Sequence, residues 1–147
     1  MLNQDFKKFI ELLNNHDVNY LVVGGYAMGF HGCPRYTKDL EIWLEASADN
    51  AKRALIAMER FGFASFDLAI DAFIQPDMVI QLGYAPVRID LLISMAGVTF
   101  SECYPKRIIE VIGGMAVNFI GRDSLVIAKR AAGRFRGLAD AENLSQP

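Results

Sequence analysis

Phe6, Phe9, Ile10, Leu12 and Leu13 recur at helical spacing and predict an amphipathic helix over residues 3–15. Asn14-Asn15-His16-Asp17 supplies the turn that ends it. Tyr20 to Val23 is short, apolar and rich in valine, the pattern of a buried strand. Gly24-Gly25 follows at once and leads into a short helix that Gly29 or Gly32 could close. From Asp39 to Leu44 charged and apolar residues alternate, which places Asp39 and Glu41 on one strand face and Leu40 and Ile42 on the other.

Ser47 is positioned to cap a helix over Asp49 to Arg60, with Ala54, Leu55 and Met58 on its apolar stripe. Met78–Gly83 and Val87–Ile93 read as strands joined at Tyr84-Ala85-Pro86. Arg107–Ile112 and Met115–Ile120 read as a hairpin turning on Gly113-Gly114. Two helices, Arg122–Ala132 and Leu138–Leu144, complete the pattern. This order predicts an α/β (α+β) class, a mixed β-sheet flanked by helices.

At 147 residues the chain has the size of one domain, large enough to bury a core without disulfide or structural metal. Its 52% hydrophobic content excludes a disordered chain, and apolar surface covered in a homodimer is compatible with it. A net charge of -2 argues against a non-specific nucleic-acid binder. That value averages two unlike parts. Residues 1–100 hold eight Lys/Arg and twelve Asp/Glu, whereas residues 101–147 hold seven and five, so an acidic body carries a basic tail. Cys33 and Cys103 lie far apart, outside any CxxC pattern, as in a reduced, intracellular protein. The charged N-terminal stretch does not read as a signal peptide, and the longest run free of charges and strong breakers, Leu91 to Phe100, falls well short of the ~18 apolar residues of a membrane span. A cytoplasmic protein with no membrane partner is expected.

The candidate chemistry lies in the strands. Asp39 and Glu41 project together from a strand whose apolar neighbours, Trp43 and Leu44 among them, suggest a central position. Asp90 is set in a second apolar strand, Val87 to Ile93. Acids in buried strands are costly unless paired or metal-bound, and three on neighbouring strands would suit Mg²⁺. A lone D-x-E is more often a solvated face, and Asp90 could instead pair with Arg88 or the basic tail. Gly24-Gly25 adds a strand-to-helix junction where a phosphate could approach the backbone, although a tight turn needs glycine equally. Tyr26 stands where a dinucleotide fingerprint needs its second glycine, and no P-loop, GxSxG or HExxH occurs. His31 has no partner at metal spacing and reads as a satisfied loop or core histidine, and Trp43 reads as core.

Val23-Gly24-Gly25, thirteen residues, then Asp39-Leu40-Glu41-Ile42 resembles the signature of the nucleotidyltransferase superfamily that includes DNA polymerase beta. Asp90 matches its third carboxylate. The stretch GGYAMGFHGCPRYTKDLEIWL and the tail AKRAAGRFRGLADAENL resemble small bacterial nucleotidyltransferases, including the toxin-like group of abortive-infection systems. Glu41 stands where many of these carry Asp, and Gly137 and Phe135 replace an expected acid and proline. Those departures keep open a second role, a weak or inactive descendant that binds a nucleotide or a partner.

The resemblance implies one minimal domain over residues 1–147, with a core near 18–120 and a helical cap near 121–144. It implies Mg²⁺-dependent transfer of a nucleoside monophosphate from an NTP to a hydroxyl of a protein, tRNA or small molecule. Asp39, Glu41 and Asp90 would be catalytic and hold two Mg²⁺ ions, or Mn²⁺ in their place. Gly24 and Gly25 would cradle phosphates. Arg35, Lys38, Lys129 and Arg134 are the candidate nucleotide contacts, and a cognate antitoxin is an implied partner.

Overall fold

A computed structural model describes residues 3–33, 38–63, 73–75, 77–84 and 87–146. The leading helix α1 (Gln4–Asn15) starts where Asn3 accepts the Phe6 N–H at 2.8 Å. It buries Phe6, Phe9, Ile10 and Leu13, the stripe its sequence spacing sets. Strand β1 (Tyr20–Val23) is buried along its whole length and runs directly into α2 (Gly24–Phe30). Strand β2 (Asp39–Leu44) buries Leu40, Ile42, Trp43 and Leu44, while Asp39 and Glu41 stay partly open. Trp43 is anchored by its indole N–H, which donates to the Ile93 carbonyl at 3.3 Å.

Helix α3 (Ala48–Met58) is capped by Ser47, which accepts the Asn50 N–H. It passes into a wider turn over Glu59–Phe63 rather than continuing regularly to Arg60. Buried Asn50 accepts the Asn19 N–H at 2.7 Å and donates to the Asn19 and Glu45 carbonyls, closing the backbone at one end of the antiparallel β1–β2 pair.

β3 (Val79–Tyr84) and β4 (Val87–Leu92) form a hairpin whose turn lies outside the described residues. A short helix α4 (Phe100–Cys103), capped by Thr99, and a tight turn at Tyr104–Lys106 precede the hairpin of β5 (Ile108–Ile112) and β6 (Met115–Phe119). Gly113 and Gly114 both have positive φ, 58° and 81°, as a two-residue type I′ turn requires. Helices α5 (Arg122–Ala132) and α6 (Phe135–Ser145) pack on each other, and α6 begins three residues before its apolar pattern does. Gly133, at φ 68°, separates them.

The described strands form one mixed sheet in the order β3-β4-β2-β1-β6-β5. β1 and β2 are antiparallel, whereas β4 joins β2 and β6 joins β1 in parallel. The acidic strand is therefore interior, as its apolar flanks suggested. Among the described residues no helix is long and apolar enough to cross a membrane.

Candidate active site

The acids of β2 share a face because strand side chains alternate. The parallel register of β4 sets Asp90 opposite Glu41 and Arg88 opposite Asp39. Cross-strand partners also share a face, so these four residues form one charged block on the sheet. Arg88 binds that block together. Its Nε donates to Asp90 Oδ1 at 3.1 Å and its Nη2 to Oδ2 at 3.2 Å, and Nε lies 3.7 Å from Asp39 Oδ2. Asp90 is only 8% exposed, and a carboxylate so withdrawn from water needs such a fork. The hydrogen bonds that Arg88 donates to Asp90, then the Asp90 charge, raise the Arg88 pKa above its ordinary value, and Asp39 and Glu41 add smaller upward contributions.

Among the described residues no three acidic, histidine or cysteine side chains stand at the spacing of a metal ligand set. The block instead carries its own cation. Its chemistry nevertheless suits a hard divalent ion, since it offers carboxylate oxygens from two adjoining strands, one of them nearly buried.

Gly24 brings the β1–α2 junction against Glu41. Its φ is +69°, and a Cβ there would fall on the Glu41 carboxylate, 2.7 Å from Cδ. Only glycine satisfies both conditions. Gly25 is buried beside it, at the start of α2. Tyr26 follows, and burial first and the Asp39 charge second raise its hydroxyl pKa.

Glu41 and Gly24 open onto a cleft of about 320 Å³ whose far wall is the α5–α6 pair. Lys129, Arg134, Arg136 and Asp140 line that wall, and Leu92, Met95 and Leu125 supply apolar surface. Lys129 donates to Asp140 Oδ2 at 3.2 Å, with both side chains largely withdrawn from water. Gly137 permits this crossing, because a Cβ there would stand 3.2 Å from the Lys129 carbonyl.

The expected site residues thus separate into groups. Asp39, Glu41 and Asp90 share a face; Gly24 and Gly25 adjoin Glu41; Lys129 and Arg134 face Glu41 across the cleft. Lys38 is exposed immediately before β2, and Arg35 lies outside the described residues. His31 is structural. Its Nε2 lies 2.7 Å from the Ile120 carbonyl, and its own carbonyl accepts from Arg122. Asp140 was missed by sequence reasoning. A lone acid eleven residues beyond Lys129 carries no periodic signal, and the turn at Gly133 alone makes them neighbours.

No protein-family model matches the chain, and no curated protein sequence matches it. Solved structures do. A candidate nucleotidyltransferase from Thermotoga maritima superposes with a TM-score of 0.60 at 15% identity, over 95% of this chain and 87% of that one. The chain has the nucleotidyltransferase fold. An antigenic nucleotidyltransferase-like protein from Paracoccidioides brasiliensis gives a TM-score of 0.51 at 14% identity, over 95% of this chain and 72% of its own. At these identities the likeness concerns the nucleotidyltransferase fold, and the chemistry must be argued from the side chains.

Proposed function

We propose that the protein is a divalent-metal-dependent nucleotidyltransferase: an acceptor hydroxyl attacks the α-phosphate of an NTP, takes the nucleoside monophosphate and loses its proton, and pyrophosphate leaves. The observation that carries this reading is the β2–β4 register, which sets Asp90 beside Glu41 and Asp39 on one face. Asp39, Glu41 and Asp90 are the residues that would hold Mg²⁺, which when bound stabilises charge on the attacking and leaving oxygens. Asp90 is the candidate to accept the proton of the acceptor hydroxyl. Gly24 and Gly25 would allow the phosphates to approach the backbone, and Lys129 and Arg134 would face their negative charge from the opposite wall. The apolar cleft surface offers a place for the base.

The test is transfer of label from α-labelled NTPs in Mg²⁺, with tRNA, cell extract and small hydroxyl compounds as acceptors. Wild type should transfer label, and Asp39→Ala and Glu41→Ala should each lose at least about a hundredfold. Saturable NTP binding without transfer would replace this reading with a nucleotide-binding role. Neither binding nor transfer would remove it. The toxin-like setting belongs to the same proposal: induced wild-type chain should arrest bacterial growth, and the Asp39→Ala chain should not.

A further inference from the structure

We propose that Arg88 is a positioning residue that clamps Asp39 and Asp90 and competes with a divalent cation for them. The inference rests on the metal-dependent reading of these acids. Both Asp90 oxygens accept from the guanidinium, at 3.1 and 3.2 Å. Each oxygen keeps a second lone pair, so an ion need not evict the guanidinium outright, but one ligated through Asp90 on this face sets like charge against Arg88 and competes with it for those oxygens. Because Arg88 lies in register with Asp39 across the strand pair, the same guanidinium reaches the second acid at 3.7 Å.

The two partners differ in what release costs them. The Arg88 side chain is 38% exposed, whereas that of Asp90 is 11% exposed. A long, half-open arginine can swing its head into water while its stem stays on the sheet. Asp90 has no such escape and needs a cation at all times. The arrangement thus exchanges one cation for another, and the acids are never left bare. It also sets a threshold, because only an ion that binds better than the fork displaces it. A hard divalent ion meets that condition more readily than Na⁺ or K⁺.

The test measures Mn²⁺ binding to the full chain by electron paramagnetic resonance, without nucleotide, in wild type, Arg88→Gln and Arg88→Lys. Losing the fork should tighten Mn²⁺ binding about three- to tenfold in Arg88→Gln, the range for a partly exposed charge-assisted pair. Arg88→Lys, which keeps the charge but not the bidentate geometry, should fall between it and wild type. If Arg88→Lys matches wild type and only Arg88→Gln gains, the effect is bulk charge and the clamp is refuted. Equal or weaker binding in Arg88→Gln also refutes it. In both cases the metal site survives, provided that wild type binds Mn²⁺ and Asp39→Asn does not. No Mn²⁺ binding in wild type or Arg88→Gln would overturn the metal site and the clamp together. Should Arg88→Gln fail to fold, the Arg88 Nε–H resonance of wild type decides. It should be protected from exchange without metal and lose protection as Mg²⁺ saturates; an unchanged signal at saturation refutes the clamp.

Discussion

Gly24 shows how much one residue constrains the acidic block. Its backbone occupies the left-handed region, and the space a side chain would fill holds the Glu41 carboxylate. Alanine there meets two penalties, backbone strain and displacement of Glu41. Gly24→Ala should lose at least about 1–3 kcal/mol in urea denaturation. A double-mutant cycle separates the two terms: in a Glu41→Ala background the clash with the carboxylate should disappear, leaving the φ penalty and a close contact with the residue 41 Cβ. The glycine read as a phosphate cradle thus has an architectural duty as well, seating a catalytic candidate. Sequence alone presented either duty with equal force, since both ask for the same missing Cβ.

Among elements, the α5–α6 pair carries the cleft wall. The two helices are joined by the left-handed Gly133, and Lys129 and Asp140 tie them across that turn. Because both side chains are largely buried, removing one deprives the other of this ion pair where water compensates poorly. Lys129→Met and Asp140→Leu should each cost about 1–3 kcal/mol by chemical denaturation. The double variant should recover much of that loss, because an apolar pair replaces an ion pair without a stranded charge. A purely electrostatic surface pair would instead show losses below about 1 kcal/mol and strong salt dependence. The hydrophobic pattern located α5 well and began α6 too late. Phe135 and Arg136 point mostly to solvent, so the first turn of α6 carries no apolar stripe to read.

At the scale of the molecule, Tyr20 links three elements. From β1 its hydroxyl donates to Asn14 of α1 at 3.0 Å and accepts the Asn118 N–H of β6 at 3.3 Å. Burial, the largest cause, pushes its pKa up to about 12 from 10.0, against the lowering effect of both hydrogen bonds. The folded state therefore holds this proton more tightly than the unfolded chain. Its contribution is complete below pH 10 and is lost as pH rises toward about 12. The loss amounts to about 2–3 kcal/mol. Tyr20→Phe should be less stable at pH 8, by about 1–2 kcal/mol for the lost hydrogen bonds. That deficit should shrink between pH 10 and 12, because phenylalanine cannot ionise. Urea midpoints of the two proteins across this range measure the difference, which cancels the other tyrosines.

Local periodicity was enough to determine most elements of this protein, because helix stripes and strand alternation are written within a few residues. It determined that Asp39 and Glu41 share a face, that Trp43 and its neighbours are core, and that Gly113-Gly114 turns a hairpin. The family resemblance of the two glycines and three acids pointed to the same fold that the solved structures display. The sequence could not determine which strand lies beside which. Asp90 is about fifty residues from Glu41, and only the parallel register of β4 on β2 makes them neighbours. Register is a property of the assembled sheet: a slip of one residue would turn Asp90 to the opposite face. The same holds for Arg88, whose pairing with Asp90 was one alternative from sequence and whose reach to Asp39 requires the second strand. Tertiary structure also decided that Lys129 faces Glu41 across a cleft and that Asp140 holds it there. Those contacts join distant segments, and no pattern within either segment encodes the distance between them.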